Sequence, residues 1–403
     1  MKKHSLLHDP LEQIFTEIAI RIQLPPSKYQ LACDRYKSVA TYAERDGSPL
    51  KNKVARFYPQ GSMSIGATIA ARGKDEEYDI DIIAELLLQH GINPADVLEI
   101  LYLTIKGHPG SRYYDMVKLR SRCITIYYED GMHLDITPVI LRAERQERTS
   151  DLFHNDLDKP TEPAETLLMN AWGFSELFKF KTKDTTTFSE AYAKNVRTLD
   201  VYMEAETEEV DPQEDPARKS SDVVALQLLK RFRNTRYADR DGRMPPSVLL
   251  SKFVSDAAYP MESIIQALKH HAEYMRRQFV NAERSSALIH EVNPTCWEDC
   301  FTDRWPLIRS EQQLFISDLN DLLAGLRKIQ REDLAIPDMQ TILVTLFGES
   351  PTKSAIRTVQ GHIGTATQSA KIGHKIGGGI LLGSTAAIRV ARASTNMGGK
   401  IPW

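Results

Sequence analysis

The chain is poor in cysteine, in long apolar runs and in continuous basic sequence, and each shortage removes a class of protein. Its four cysteines in 403 residues, Cys33, Cys123, Cys296 and Cys300, are too few and too scattered for a disulfide framework. They suit a reducing, cytoplasmic setting. No apolar run reaches the roughly 20 residues that a bilayer-crossing helix needs, so no membrane partner is expected. The opening stretch MKKHSLLHDPLEQIF starts on basic residues, but acidic ones interrupt its apolar part, unlike a secretory signal. The formal net charge of -3 conceals an asymmetry, because residues 351–403 hold seven Lys or Arg and no Asp or Glu. The rest of the chain is therefore more acidic than the whole, and long nucleic acid, which requires a broad basic face, is not an expected partner.

With 42% hydrophobic residues the chain is long enough to bury a large core, and its patterning predicts a mixed α+β fold in two packed lobes. Residues 10–46 show helical periodicity broken at Pro25-Pro26. KVARFYPQGS reads as a strand entering a Gly-Ser turn. NPADVLEILYLTIKG has an Asn93 cap, Pro94 at the first helical position and apolar residues at helical spacing. RCITIYYEDGMHLDITPVIL predicts two strands around an Asp-Gly turn. Residues 150–164 read as a polar crossover, and the pattern from 165 onward is mainly helical, with Ser221 or Asp222 capping one long helix. The acidic run 200–216 reads as a solvated loop. The Gly-, Ala-, Ser- and Thr-rich end, from 351, reads as a mobile basic tail or a terminal handle for a partner.

Chemistry concentrates at a few positions. In YDIDII the strand period of two points Asp79 and Asp81 to one face, and Asp135 in HLDITP belongs to a second strand able to lie beside them. Three carboxylates on one face repel unless a cation joins them, and Mg²⁺, which binds through oxygen and substrate phosphates, is the expected ion. Gly61-Ser62 supplies a turn whose backbone N–H groups and helix start can face those phosphates. In the helical half, Lys230 in LLKRFRN and Ser247 in MPPSVLLSKF combine a point charge, a hydroxyl and a helix start, which suits a triphosphate. His290, Cys296 and Cys300 match no strong zinc spacing and read as structural thiols with a surface histidine.

The order GS, DxD, third strand Asp resembles the nucleotidyltransferase core of the DNA polymerase β superfamily, most specifically over residues 54–141. With Lys230, Ser247, the Asn293-Pro294 segment and the late MQTILVTLFGES helix, the resemblance narrows to the cGAS/DncV-like nucleotidyltransferases (CD-NTases) of bacterial CBASS anti-phage systems, over residues 10–350. It implies a polymerase β-like sheet flanked by helices and packed on a helical lobe, with the active site in the cleft. The boundaries that follow are 1–164 for the nucleotidyltransferase core with its N-terminal helices, 165–350 for the helical lobe and 351–403 for the tail. It also implies that Asp79, Asp81 and Asp135 hold two Mg²⁺ or Mn²⁺ ions, while Gly61, Ser62, Lys230 and Ser247 hold the donor triphosphate. The implied reaction joins nucleoside triphosphates, ATP among them, into a cyclic di- or trinucleotide that an effector protein senses. Two rival readings stand beside it: a transferase that modifies RNA or a protein, and a catalytically silent scaffold acting through its tail.

Overall fold

The structure, a computed structural model, describes residues 9–24, 26–70, 78–145, 148–183, 219–331, 334–368, 372–374 and 380–382. Its largest feature is a mixed seven-stranded sheet of β1 (Val54–Pro59), β2 (Tyr78–Leu86), β3 (Val117–Leu119), β4 (Ile124–Tyr127), β5 (Met132–Leu141), β6 (Ser150–His154) and β7 (Glu165–Met169). The strand order is β1-β2-β5-β4-β3, with β6 paired to β5 and β7 to β6. β5 is central. It runs parallel to β2 along one side, while on the other its first half pairs with β4 and its last residues pair with β6. Ile80 and Ile82 of β2, and Leu134 and Ile136 of β5, are fully enclosed. Their apolar face packs on α2 (Pro26–Ala43) and on Val97, Leu98, Leu101 and Ile105 of α4 (Pro94–Lys106). Asn93 caps α4 by accepting from Ala95 N at 2.9 Å, as its sequence predicts.

A second core belongs to the helices. It gathers α1 (Pro10–Arg21), α5 (Ala171–Lys181), α6 (Ser221–Tyr237), α7 (Ser247–Asp256), α8 (Ile264–Arg284), α9 (Arg309–Ile329), α10 (Ile336–Phe347) and α11 (Glu349–Gln368). The cap of α6 is Ser220, accepting from Val223 N at 3.3 Å, one residue before the positions its sequence suggests. Between α8 and α9 a short hairpin, β8 (Val292–Asn293) and β9 (Cys296–Cys300), turns at the Asn-Pro segment. Asn293 Nδ2 donates to Asn170 O at 2.9 Å and to Asp299 Oδ2 at 2.8 Å, fastening the hairpin to the end of the sheet.

Three groupings expected from sequence differ from the structure. Residues 150–164 are more than a crossover, because β6 and β7 extend the sheet and carry it past residue 164. Helix α1 packs Ile14, Phe15, Ile18 and Ala19 into the helical lobe's core, so it groups with the second lobe although it comes first in the chain. The basic end is not a tail from residue 351. Helix α11 runs to Gln368, buries Ala355, Ile356 and Val359, and receives Arg21 Nη2 on Thr358 Oγ1 at 2.9 Å. Beyond it β10 (Ile372–His374) pairs with β11 (Ile380–Leu382). The helical pattern of α11 is faint in the sequence because the helix buries only a narrow stripe among small residues. The acidic run 200–216 and residues 383–403 lie outside the described residues.

One polar contact locks the first helix onto the second lobe. Glu12, 8% exposed, accepts from Ile264 N at 3.0 Å and from the Ser263 hydroxyl, completing the start of α8. Burial, partly offset by these donors, pushes its carboxyl up to about 7. Glu12→Ala leaves two buried donors without acceptors, and a loss of about 2 kcal/mol is expected in urea unfolding at neutral pH. A loss under a few tenths would mean the joint is not held by this side chain.

Candidate active site

The parallel pairing of β2 with β5 sets Asp79 opposite His133 and Asp81 opposite Asp135. Alternation along each strand puts all four on one face, at the centre of the sheet. The Gly61 turn is then laid over them. Gln60 N donates to Asp81 O at 2.9 Å, and α3 (Gly61–Ser64) begins at once. Gly61 adopts φ +58, and a Cβ there would lie 2.6 Å from Asp81 Oδ2. Both its backbone conformation and the closeness of the carboxylate demand glycine. Ser62 closes the turn, its carbonyl accepting from Ala67 N at 2.8 Å and its Oγ from Thr68 Oγ1 at 3.4 Å.

The electrostatics of the carboxylates are those of crowded, desolvated charge. Burial, then the neighbouring Asp135 and Asp79, push the Asp81 carboxyl up to about 7, opposed by the Lys230 ammonium. Burial also raises Asp135, while the hydroxyl of Thr125, donating to its Oδ1 at 2.5 Å, works the other way. Asp79 stands outermost, its side chain 69% exposed and 3.3 Å from His133 Nδ1. Among the described residues no three His, Cys, Asp or Glu side chains already surround one metal position. Gathering all three aspartates requires Asp79 to turn from His133, a change open to an exposed side chain. The donor set fits a hard cation: it is all oxygen, and Asp81 and Asp135 crowd two carboxylates onto neighbouring strands. The nearby Cys123 thiol is raised by burial and by Asp135 and Asp81.

The helical lobe contributes from α6. Gln227 Nε2 donates to Thr68 O and Lys230 Nζ to Ala67 O, both at 3.0 Å, so one helix face clasps the loop that follows the Gly-Ser turn. Lys230 is 5% exposed, and burial followed by the charge of Arg233 lowers its ammonium to about 7. Ser247 occupies the first position of α7, where its Oγ accepts from Arg233 Nη1 at 3.0 Å. The same nitrogen reaches Pro245 O at 2.7 Å, and burial lowers Arg233 to about 10. Gly61, Asp81, Asp135 and Lys230 thus form one group. Asp79 borders it, Ser62 shapes its turn, and Ser247 joins it through Arg233.

Three further residues act here. His133 lies two before Asp135 and shares its face, a signal legible in strand alternation. Arg233 lies three after Lys230 on one helix face, equally legible. Thr125 had no such signal, because its place opposite Asp135 depends on the β4–β5 register. Elsewhere, Cys300 Sγ sits 3.8 Å from His290 Nδ1, while Cys296 turns toward Glu298.

Two outcomes are expected of this geometry. Gly61→Ala should keep the fold's far-ultraviolet circular dichroism yet lower any nucleotidyl transfer by roughly 100-fold, the scale of a misplaced reacting group; activity within threefold of wild type would refute the close approach. The Asp81 carboxyl, with an ordinary value of 3.8, holds its proton to about 7 in the folded chain. Folding therefore favours the protonated form, and the stability it lends is full below about pH 4 and lost as pH rises through 7. In chelator-treated protein, Asp81→Asn should gain Tm over wild type as pH goes from about 5 to 8; a difference constant with pH would count against the shift.

Residues 10–167 match the family model described as the Second Messenger Oligonucleotide or Dinucleotide Synthetase domain. Over 401 residues, covering 97% of this chain and 95% of the relative, the sequence is 36% identical to the cyclic dinucleotide synthase CdnG of Bradyrhizobium diazoefficiens. A c-di-GMP synthase of Roseivirga ehrenbergii is 22% identical over 351 residues, 85% of each chain. The solved structure of the Bradyrhizobium CD-NTase CdnG in complex with GTP superposes with a TM-score of 0.76, covering 87% of this chain and 99% of that one. The sheet, the second lobe and near-full-length similarity agree: this chain belongs to the CD-NTases, nucleotidyltransferases that make cyclic oligonucleotides.

Proposed function

We propose that the chain joins nucleoside triphosphates into a cyclic dinucleotide, with GTP as one substrate, in a Mg²⁺-dependent reaction that releases pyrophosphate. The observation that carries this reading is the register of Asp81 beside Asp135 beneath the Gly61 turn. The GTP complex of the Bradyrhizobium relative supports the choice of base. Asp79, Asp81 and Asp135 are the residues to hold Mg²⁺, and Mn²⁺ suits the same oxygens. When bound, the metal neutralises charge developing on the phosphoryl oxygens.

The chain's own groups do the rest. Gly61 and Ser62 present backbone N–H groups to the donor's phosphates, and Lys230 and Ser247 grip them from α6 and α7. The lowered proton affinity of Lys230 rises again when a triphosphate arrives, so binding and protonation favour each other. Asp135 Oδ1 is engaged by Thr125, leaving Oδ2 to take the proton of the attacking ribose hydroxyl. Its raised proton affinity brings it nearer to neutral pH, where such a base works best. Arg233 positions Ser247, and no covalent intermediate is required. A second round on the bound linear product closes the ring. In the cell we place this product in anti-phage signalling of the CBASS kind, in the cytoplasm, read by an effector protein.

The test is incubation of the purified chain with labelled GTP and ATP and Mg²⁺, followed by phosphatase. A small phosphatase-resistant product is expected, reduced at least roughly 100-fold by Asp79→Ala with Asp81→Ala in a variant that keeps the wild-type far-ultraviolet circular dichroism. Label found only on protein or RNA would sink the cyclic product, and undiminished product from the double variant would sink the site.

A further inference from the structure

Helices α8 and α9 lie antiparallel, with Glu283 accepting from Gln312 and Gln313 at 3.0 and 2.7 Å and Arg276 reaching Asn320. Between their outer faces runs a groove of about 430 Å³, lined by Arg276, Arg277, Arg284 and Arg327 against one carboxylate, Glu273. The spacing explains it. Positions 273, 276, 277, 280, 281 and 284 form a single stripe on α8, and 320, 323 and 327 form the facing stripe on α9. Val280 and Leu323 complete the lining with apolar surface. The opposite side of α8, with His271, Met275 and Phe279 buried, packs into the helical core, so the groove faces away from the Lys230 and Ser247 cleft.

Four guanidiniums in one groove need an explanation in a chain whose net charge is -3. Arg284 and Arg327 lie in the last turns of their helices, where a cation complements the helix dipole. That accounts for neither Arg276 nor Arg277, which sit in the middle of α8. Arg276 is engaged by a neutral amide, and Arg277 lies 5.4 Å over the Tyr274 ring. Among the described residues, Arg277, Arg284 and Arg327 have no carboxylate partner. From Glu273 to Arg284 the groove runs roughly 16 Å at the rise of an α-helix.

We infer that this groove is a second ligand site, which takes a small, extended phosphoanion carrying two or more phosphates. The volume is that of a small-molecule site, about 300–1,000 Å³. Within so small a space only a dense anion matches a net excess of three guanidiniums over carboxylates, and phosphate oxygens accept guanidinium pairs bidentately. Val280 and Leu323 leave room for an uncharged flat group beside the phosphates. Nucleoside triphosphates and phosphate-linked dinucleotides share this chemistry, so a substrate or a product can be the source.

The test is equilibrium dialysis of the metal-free full-length chain with inorganic tripolyphosphate, comparing wild type, Lys230→Met and the triple variant Arg277→Gln, Arg284→Gln, Arg327→Gln. The groove site should persist in Lys230→Met, and its affinity should fall about tenfold or more in the triple variant, at least the scale of one lost charge-assisted bond. Synthesis without added tripolyphosphate should stay within about twofold in the triple variant. Tripolyphosphate binding that vanishes with Lys230→Met and survives in the triple variant overturns the inference while sparing the catalytic cleft. A hexaglutamate peptide binding as tightly as tripolyphosphate, with the same loss in the triple variant, overturns the assignment to phosphate. Given a groove site, parallel titrations with GTP and with a cyclic dinucleotide identify the source as substrate or product.

Discussion

Two half-buried carboxylates on adjacent parallel strands are the constraint around which the fold is arranged. Strands lie about 4.8 Å apart, and at that separation two like charges repel by roughly 3 kcal/mol at an effective dielectric of 20. Asp81 and Asp135 are held in register regardless, because the β2–β5 ladder and its apolar face outweigh that repulsion. The surroundings are consequences. Thr125 offers a hydroxyl, Lys230 a charge and Gly61 the absence of a side chain, and each makes the crowded pair tolerable. A site strained in this way is prepared for a cation.

The second lobe extends the same logic from the opposite wall. α6 carries Lys230 and Arg233, two buried cations three residues apart; the charge of Arg233 helps lower the Lys230 ammonium, and both are satisfied by backbone carbonyls, at Ala67 and Pro245. Those carbonyls belong to the loop after the Gly-Ser turn and to the start of α7. The cations therefore join the parts that must meet a triphosphate, and the cleft has its shape before any ligand arrives. The lobe is completed by elements remote in sequence, with α1 and α11 packed on each other at its outside. Glu12 ties the first helix to the start of α8, and Arg21 ties it to α11 through Thr358.

The family gives this arrangement a reaction, and the fold leaves the outer surface free for other uses. The groove between α8 and α9 has no part in the cleft's geometry, yet it gathers four arginines against one carboxylate. An enzyme that handles highly charged nucleotides has reason to register their concentration away from the reacting atoms.

The sequence by itself determined the reaction's core. Strand alternation puts Asp79 and Asp81 on one face, the Asp-Gly turn marks the hairpin whose second strand carries Asp135, and a glycine before a helix marks the phosphate turn. These are local signals, carried by periodicity and turn chemistry within one stretch of chain. Helices capped by Asn93 or broken at Pro25-Pro26 were legible for the same reason. Only the tertiary structure decided which distant residues complete the site. The β2–β5 pairing set Asp135 beside Asp81, the docking of α6 set Lys230 on Ala67 and Arg233 on Ser247, and the packing of α1 against α11 drew residues after 351 into the core. Such pairings join residues tens to hundreds apart, and no local pattern encodes them. They follow from how two apolar cores close on each other, a property of the whole chain.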